Sequence, residues 1–365
     1  MKLALIGNFL TVGEKQDYIR SIIRCINISN KIKAQFFPII EPGLLSEEID
    51  FEYIKNGYIE KPDVVIYACE PDLLVYNHNW KNIAIYQNDN YPLTKEKILK
   101  LELMDEIWVP SNFIRQILEK SKFSKPIHVI PYSVKENDFL KTYPKNQQIE
   151  SEKNGDFIFY TISNDFDKKY NFGALVKAFH LEFSPNEPVN LAIKFTKDDK
   201  DDIMNARSFL DSLKSGLNIR ETKKEIILPS NYIKRNEIYS IHNSCEIFIS
   251  TSCSENWCIP AFEAMLFGKT PIVTNYGGFI DYIDQNSGWL VDYRLEPIFG
   301  TKNYSGKQQW ASICINDLRL QMRNAFQQSK VRQEKSENGI NKIFDFSNNK
   351  ISSLIEKVLY EKKEY

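Results

Sequence analysis

At 365 residues the chain is about twice the length of a typical single domain, which favours two domains and leaves room for a large core. Hydrophobic residues at 42% and charged residues at 26% are ordinary globular values and exclude extensive disorder. A formal net charge of −1 supplies no long-range attraction to polyanions, whereas a nucleic-acid binder would carry a basic bias, so no nucleic-acid partner is expected.

The chain opens directly on residues 1–7, an apolar run that reads as a buried first strand rather than a signal peptide. A loop to Gly13 follows, then a helix from about Tyr18 to Ile28. Further strands are expected at 63–68, 83–87, 106–110 and 127–131, with helical segments between several of them, and this alternation implies a parallel sheet. From 139 to 156 the sequence turns polar, which fits an interdomain connection better than a core element.

A second alternating series has strands at 157–162, 191–193, 225–228, 247–249, 271–273 and 289–291. The expectation is an α/β protein of two Rossmann-like domains facing across a cleft. Residues 1–145 form the first and 146–340 the second, and a terminal helix in 341–365 crosses back to the first domain. Ile351, Leu354, Ile355, Val358 and Leu359 would lie broadly on one side of that helix.

The most informative segment is Ser-Glu-Asn-Trp-Cys-Ile-Pro-Ala-Phe-Glu-Ala-Met at 254–265, between an apolar strand and an apolar helix. It holds two carboxylates, Glu255 and Glu263, at the carboxyl end of a strand, where open α/β sheets bind ligands. Pro260 suits the first helical position, and Glu263 then falls in the first turn, where the helix N-terminus alone could account for an acid. A second acid, together with Gly277 and Gly278 after the next strand, points beyond helix electrostatics to a ligand site. Cys253 and Cys258 flank Glu255, but no second Cys/His pair has zinc spacing, so both read as packed thiols and no metal is expected. With six cysteines and no CxxC pair, the cytosol is the expected compartment. No apolar run reaches the ~20 residues of a membrane span, so any membrane contact is peripheral.

The order of these motifs resembles the retaining glycosyltransferases of the GT-B fold, and within them family 4. The segment 254–273 is similar to that family's E-x7-E signature with its helix and following strand. Supporting runs are Glu-Ile-Trp-Val-Pro-Ser-Asn-Phe at 106–113, Val-Ile-Pro-Tyr-Ser-Val at 129–134, Lys-Lys-Tyr-Asn at 168–171 and Gly-Trp-Leu-Val-Asp at 288–292. Three departures stand out. Asn256 replaces a common glycine, Pro131-Tyr-Ser133 alters a turn, and Ile162, Ser163 and Asn164 occupy the place of the usual diphosphate-binding Arg.

The resemblance implies transfer of a sugar from a UDP- or GDP-linked donor to a glycan or glycoconjugate, with no cofactor and no metal. Lys168 and Lys169 would neutralise the departing diphosphate, with Lys194 a weaker third candidate; a solvated pair at a helix start is the competing reading for the first two. Glu263 would hold the ribose hydroxyls and Glu255 the transferred sugar, with Asn256, Trp257 and Cys258 beside it. The base would rest near Tyr232 and Ile233, and Gly13 would let the first-domain loop approach the diphosphate. Asp89, in Gln-Asn-Asp-Asn-Tyr at 87–91, is the acceptor-side choice, with an ordinary turn aspartate as its alternative. The family's common proposal is front-face attack, in which the leaving phosphate accepts the acceptor's proton. Two other readings share these residues: a noncatalytic nucleotide-sugar-binding or partner subunit of a glycosyltransferase complex, and a GT-B sugar-nucleotide epimerase. An NAD-dependent dehydrogenase is disfavoured because residues 7–13 are not G-x-G-x-x-G.

Overall fold

The computed structural model describes residues 1–43, 45–46, 61–89, 91–134, 142–163, 168–195, 202–219, 221–228, 234–298 and 308–361. In chain order the elements begin β1 (Lys2–Gly7), α1 (Glu14–Ile28), β2 (Lys33–Pro38), β3 (Val64–Ala68), β4 (Lys81–Ile85), α2 (Lys95–Leu101), β5 (Glu106–Val109), α3 (Asn112–Lys120) and β6 (Ile127–Val129). There follow α4 (Gln147–Glu152), β7 (Phe157–Ser163), α5 (Phe172–Glu182), β8 (Val189–Phe195), α6 (Asp202–Ser215), β9 (Ile226–Leu228), α7 (Arg235–Ser244), β10 (Ile247–Ser250) and α8 (Ile259–Leu266). The chain continues with β11 (Thr270–Thr274), β12 (Trp289–Val291), β13 (Tyr293–Pro297), β14 (Gln309–Ile313), α9 (Ile315–Gln327), α10 (Ser329–Ile343) and α11 (Asn348–Tyr360).

These elements make two Rossmann-like units, one of Met1–Asp138 with Phe344–Tyr365 and one of Phe139–Ile343. The first sheet runs β2-β1-β3-β4-β5-β6, every neighbour parallel. Its strands β3 and β5 are buried along their whole length, as expected of a parallel sheet covered on both faces. α1 is buried on more than its sheet face, because α11 packs across it: Ile22, Cys25 and Ile26 of α1 and Ile351 and Ile355 of α11 are all buried. Val134 donates its N–H to Phe346 O at 3.1 Å and accepts from Asn348 N at 3.0 Å, so the returning segment is also joined to the unit by backbone hydrogen bonds.

The second sheet runs β12-β11-β10-β7-β8-β9, again parallel. Phe159, Phe179, Phe183, Leu191, Ile193 and Ile249 are among the side chains of its core, and β13 and β14 form a separate antiparallel pair. Three elements depart from expectation. β2 is an edge strand whose Lys33 and Gln35 hide its apolar alternation. The polar stretch 139–156 contains α4, capped by the Asn146 side chain accepting from Ile149 N at 3.1 Å and anchored by the buried Ile149. The β13–β14 pair has a largely exposed first strand that lacks a hydrophobic signal.

Candidate functional site

In the second sheet β7 lies beside β10; the chain leaves β7 toward β8 and β9 on one side and leaves β10 toward β11 and β12 on the other. Connections that diverge in this way open a crevice at the carboxyl ends of the two strands, the position at which doubly wound sheets take ligands. Lys168–Tyr170, a single 3-10 turn, follows β7, and the loop with Glu255 follows β10. The two are joined. Cys253 donates its backbone N–H to Lys169 O at 2.7 Å, and the Thr251 hydroxyl lies 3.0 Å from Tyr170 O and 3.1 Å from Asn171 O. The lysine turn is thus fixed against the acidic loop through its own main-chain carbonyls, with Lys168 exposed and Lys169 half-buried.

The other wall of that loop is the Gly277-Gly278 turn after β11. Gly278 donates its N–H to Glu255 O at 2.8 Å. A Cβ on Gly278 would stand 2.0 Å from Asn256 O and 2.5 Å from Asn256 C, so only glycine permits this approach. Beneath, the Tyr282 hydroxyl sits 2.7 Å from Trp257 O and 2.9 Å from Cys258 O, and the Trp257 ring packs 4.7 Å from Tyr282 and 5.4 Å from Phe262. Trp257 is 2% exposed, a core side chain rather than an open stacking surface. Glu255 is buried as well, while Asn256 between them is half-exposed. Cys258, immediately before α8, has φ 66° and ψ 79°, a left-handed conformation uncommon for a side chain with a Cβ.

Glu263 departs from the expected first-turn position. α8 begins at Ile259, so Pro260 is its second residue and Glu263 its fifth, and the first turn holds no acid. A favourable helix dipole therefore does not explain Glu263, because that effect fades beyond the first turn. Its carboxylate is instead met by α7. Arg235 Nη1 donates to Glu263 Oε1 at 2.8 Å, and His242 Nε2 lies 3.8 Å from Oε2. His242 Nδ1 is 2.7 Å from the Tyr160 hydroxyl. Burial holds the His242 pKa below the usual imidazole value despite the opposing pull of Glu263, so the ring is neutral near pH 7. Burial raises the Tyr160 phenol well above its usual value, with Cys245 and Glu263 adding to the effect.

Gly13 and Asp89 belong to the first unit. There the order of strands reverses between β1 and β3, and a pocket at their carboxyl ends is lined by Asn8, Glu41, Cys69, Glu70, Tyr86 and Gln87 among others. Asn8 Nδ2 donates to Glu41 Oε2 at 2.7 Å, and Lys15 pairs with Glu70 at 2.9 Å. Gly13, φ 150°, ends the loop after β1 at the start of α1. That loop is held by the buried Arg20, which donates to Phe9 O at 2.7 Å and Thr11 O at 2.8 Å and pairs with Asp17. Burial, reinforced by Glu70 and Glu41, pushes the Cys69 thiol up to about 11. Half-buried Asp89 faces Tyr86, whose phenol is raised by burial first and then by Asp89 and Glu70.

Tyr232 and Ile233 lie outside the described residues. Lys194, near the end of β8, is 1% exposed and donates Nζ to Phe195 O at 2.7 Å. The residues missed from sequence are Arg20, Arg235 and His242. Each is polar in the middle of a chain segment and shows its partner only after folding, although Arg235 and His242 are seven positions apart and so share a helix face.

Known proteins share this architecture. Residues 144–296 match the glycosyl transferases group 1 family. The group 1 match covers both the lysine turn and the glutamate loop. No curated protein sequence matches the chain. Among solved structures, HepE from Anabaena in complex with UDP and glucose is similar over 99% of this chain and 100% of its own, at 12% identity and TM-score 0.68. Sucrose-phosphate synthase from Thermosynechococcus elongatus is similar over 98% of each chain, at 13% identity and TM-score 0.67. A glycosyltransferase from Rickettsia africae is similar over 99% of each chain, at 15% identity and TM-score 0.65. The fold is therefore that of GT-B glycosyltransferases, two Rossmann-like domains in one chain.

Proposed function

We propose that the chain is a retaining glycosyltransferase of family 4 type that moves a sugar from a nucleotide-sugar donor to a glycan or glycoconjugate acceptor without a metal. The observation that carries this reading is the junction at the second unit's switch point, where Cys253 N–H on Lys169 O ties the lysine turn to the Glu255 loop. Sugar transfer needs cationic charge where a diphosphate departs and a carboxylate or dipole near the anomeric carbon. Lys168 and Lys169 supply the first and Glu255 the second, with the backbone of Asn256, Trp257 and Cys258 shaping the sugar's surroundings. Glu263 accepts from the donor's ribose. The leaving phosphate takes the proton of the attacking hydroxyl, so the reading requires no separate general base. Asp89, next to the polar pocket of the first unit, serves the acceptor. The similarity to HepE, whose structure contains UDP and glucose, supports a nucleotide-sugar donor, and UDP is the first candidate. No helix among the described residues is long and apolar enough to cross a membrane; the reading places the protein in the cytoplasm, with any membrane contact peripheral.

The test is a thermal-shift panel of UDP, GDP, ADP and CMP with the corresponding nucleotide sugars, on the wild type and Glu263→Ala, followed by donor-hydrolysis assays of Glu255→Gln and Lys169→Ala. A ligand that binds the native state raises its melting temperature by mass action. One nucleotide family should stabilise the wild type and lose its effect in Glu263→Ala. Sugar release should fall by about 100-fold or more in Glu255→Gln, the scale of removing one transition-state contact. No shift with any nucleotide, or full activity in both active-site variants, would overturn the assignment.

A further inference from the structure

α7 presents Arg235 and His242 two turns apart on one helix face, and both are directed at Glu263. Arg235 takes Oε1 at 2.8 Å. The other oxygen, Oε2, is buried without a hydrogen bond, and so is His242 Nε2, 3.8 Å away and beyond hydrogen-bond range. His242 cannot swing closer. Its Nδ1 is held 2.7 Å from the Tyr160 hydroxyl on β7, and its ring stacks on Phe267 with centroids 5.5 Å apart.

A neutral imidazole carries one N–H. In the tautomer in which the Tyr160 O–H donates into Nδ1, that N–H is on Nε2, which at 3.8 Å is too distant to satisfy Oε2. Left in this state, Oε2 is a desolvated acceptor waiting for a donor, and unsatisfied buried acceptors are rare enough to require an explanation. A ligand hydroxyl would complete it. Without the guanidinium, the buried carboxylate would lose its counter-charge and the bond that fixes its orientation.

We infer that Arg235 and the His242–Tyr160 pair are positioning residues for donor recognition: they hold Glu263 so that one oxygen is neutralised and the other is kept for a single ribose hydroxyl. The inference rests on the reading that Glu263 meets the donor's ribose. Selectivity for a ribonucleotide then originates one layer behind the carboxylate, in three side chains that do not touch the ligand.

The experiment measures calorimetric dissociation constants of UDP, GDP and ADP and of their 2′,3′-dideoxy counterparts. The proteins are the wild type, Arg235→Met, Arg235→Lys and the double variant His242→Phe with Tyr160→Phe, which keeps both rings and removes the polar pair. For the nucleotide that binds, the wild type should prefer the ribo form by roughly tenfold or more, the scale of one hydrogen bond to a charged group. In Arg235→Met and in the double variant that ratio should collapse toward one while the dideoxy form keeps its affinity; Arg235→Lys should retain part of the preference. A merely structural role would weaken both forms together. Variants that keep the wild-type ratio overturn the inference and leave Glu263 as the ribose acceptor. A wild-type ratio near one, or no nucleotide bound, overturns the Glu263 reading and the inference together. If Arg235→Met does not fold, Arg235→Lys and the double variant decide between these outcomes.

Discussion

The two switch-point loops are held by different balances of backbone and side-chain contacts. In the second unit the loop from Thr251 to Cys258 is fixed mainly through backbone: Cys253 N–H on Lys169 O, Gly278 N–H on Glu255 O, and carbonyls of Trp257 and Cys258 capped by Tyr282. In the first unit the loop from Asn8 to Gly13 relies more on side chains: the buried Arg20 guanidinium donates to Phe9 O and Thr11 O, and the Asn8 amide oxygen accepts from the Thr11 hydroxyl at 3.0 Å, alongside one backbone bond from Ser46 N–H to Leu10 O at 2.8 Å. Backbone fixation leaves the side chains of a loop available for chemistry. Side-chain fixation spends a buried charge on structure and makes much of the loop's order hang on Arg20.

The comparison can be broken first at Gly278. Replacing it with Ala drives a Cβ to 2.0 Å from Asn256 O, and the backbone must move. We expect a loss of about 3 kcal/mol in urea unfolding of the second unit, the upper range for overpacking. An unchanged midpoint would mean that the glycine turn is not held against the Glu255 loop. Next is Arg20→Met in the first unit, which orphans Phe9 O and Thr11 O and strips Asp17 of its partner. Roughly 2 kcal/mol should be lost, as for hydrogen bonds from a charged donor. Hydrogen exchange should rise across residues 8–13 and leave 251–258 unchanged.

Acid sharpens the contrast further, because each unit has a buried glutamate beside the start of a strand. Burial raises the pKa of both Glu106 and Glu225, yet the opposing partners win: His128 and Lys81 for Glu106, His180 and Lys214 for Glu225. Both pKa values end below 4.5. A depressed folded pKa gives stability that is complete above the unfolded value and is lost as pH falls through the folded one. Stability should therefore decline below about pH 4.5. Glu106→Gln should flatten that decline in the first unit and Glu225→Gln in the second, read by unit-resolved hydrogen exchange between pH 3 and 7 on a scale of about one residue type at a time. The smallest effect belongs to Cys258→Gly. Relief of a left-handed φ of 66°, offset by the flexibility glycine adds to the unfolded chain, should leave stability unchanged or raise it by up to about 1 kcal/mol in the same urea assay.

What the sequence made legible followed the same division. The second unit's loop announces itself through Glu255, Glu263 and the glycine pair, because close backbone approach demands glycine and a buried acid has few other uses. β1, β3 and β5 are plain because burial on both faces leaves continuous apolar runs. Arg20, Arg235 and His242 were not legible, since a polar residue inside a helix gives no indication of whether it meets water or a partner from another element. β2 was hidden because an edge strand need not be apolar, and α4 because one buried isoleucine is enough to anchor six residues. Glu263 itself was found, but its neighbour in space lies 28 positions back in the chain, a separation at which no local pattern applies.

The second unit is an insertion within the first. Met1–Asp138 leads out, Phe139–Ile343 intervenes, and Phe344–Tyr365 returns to lay α11 across α1. On a ribosome, everything the second unit needs has been synthesised before the last piece of the first. The first unit begins earliest and closes last, and until α11 arrives the outer face of α1 stands as an open hydrophobic seam for whatever holds a nascent chain.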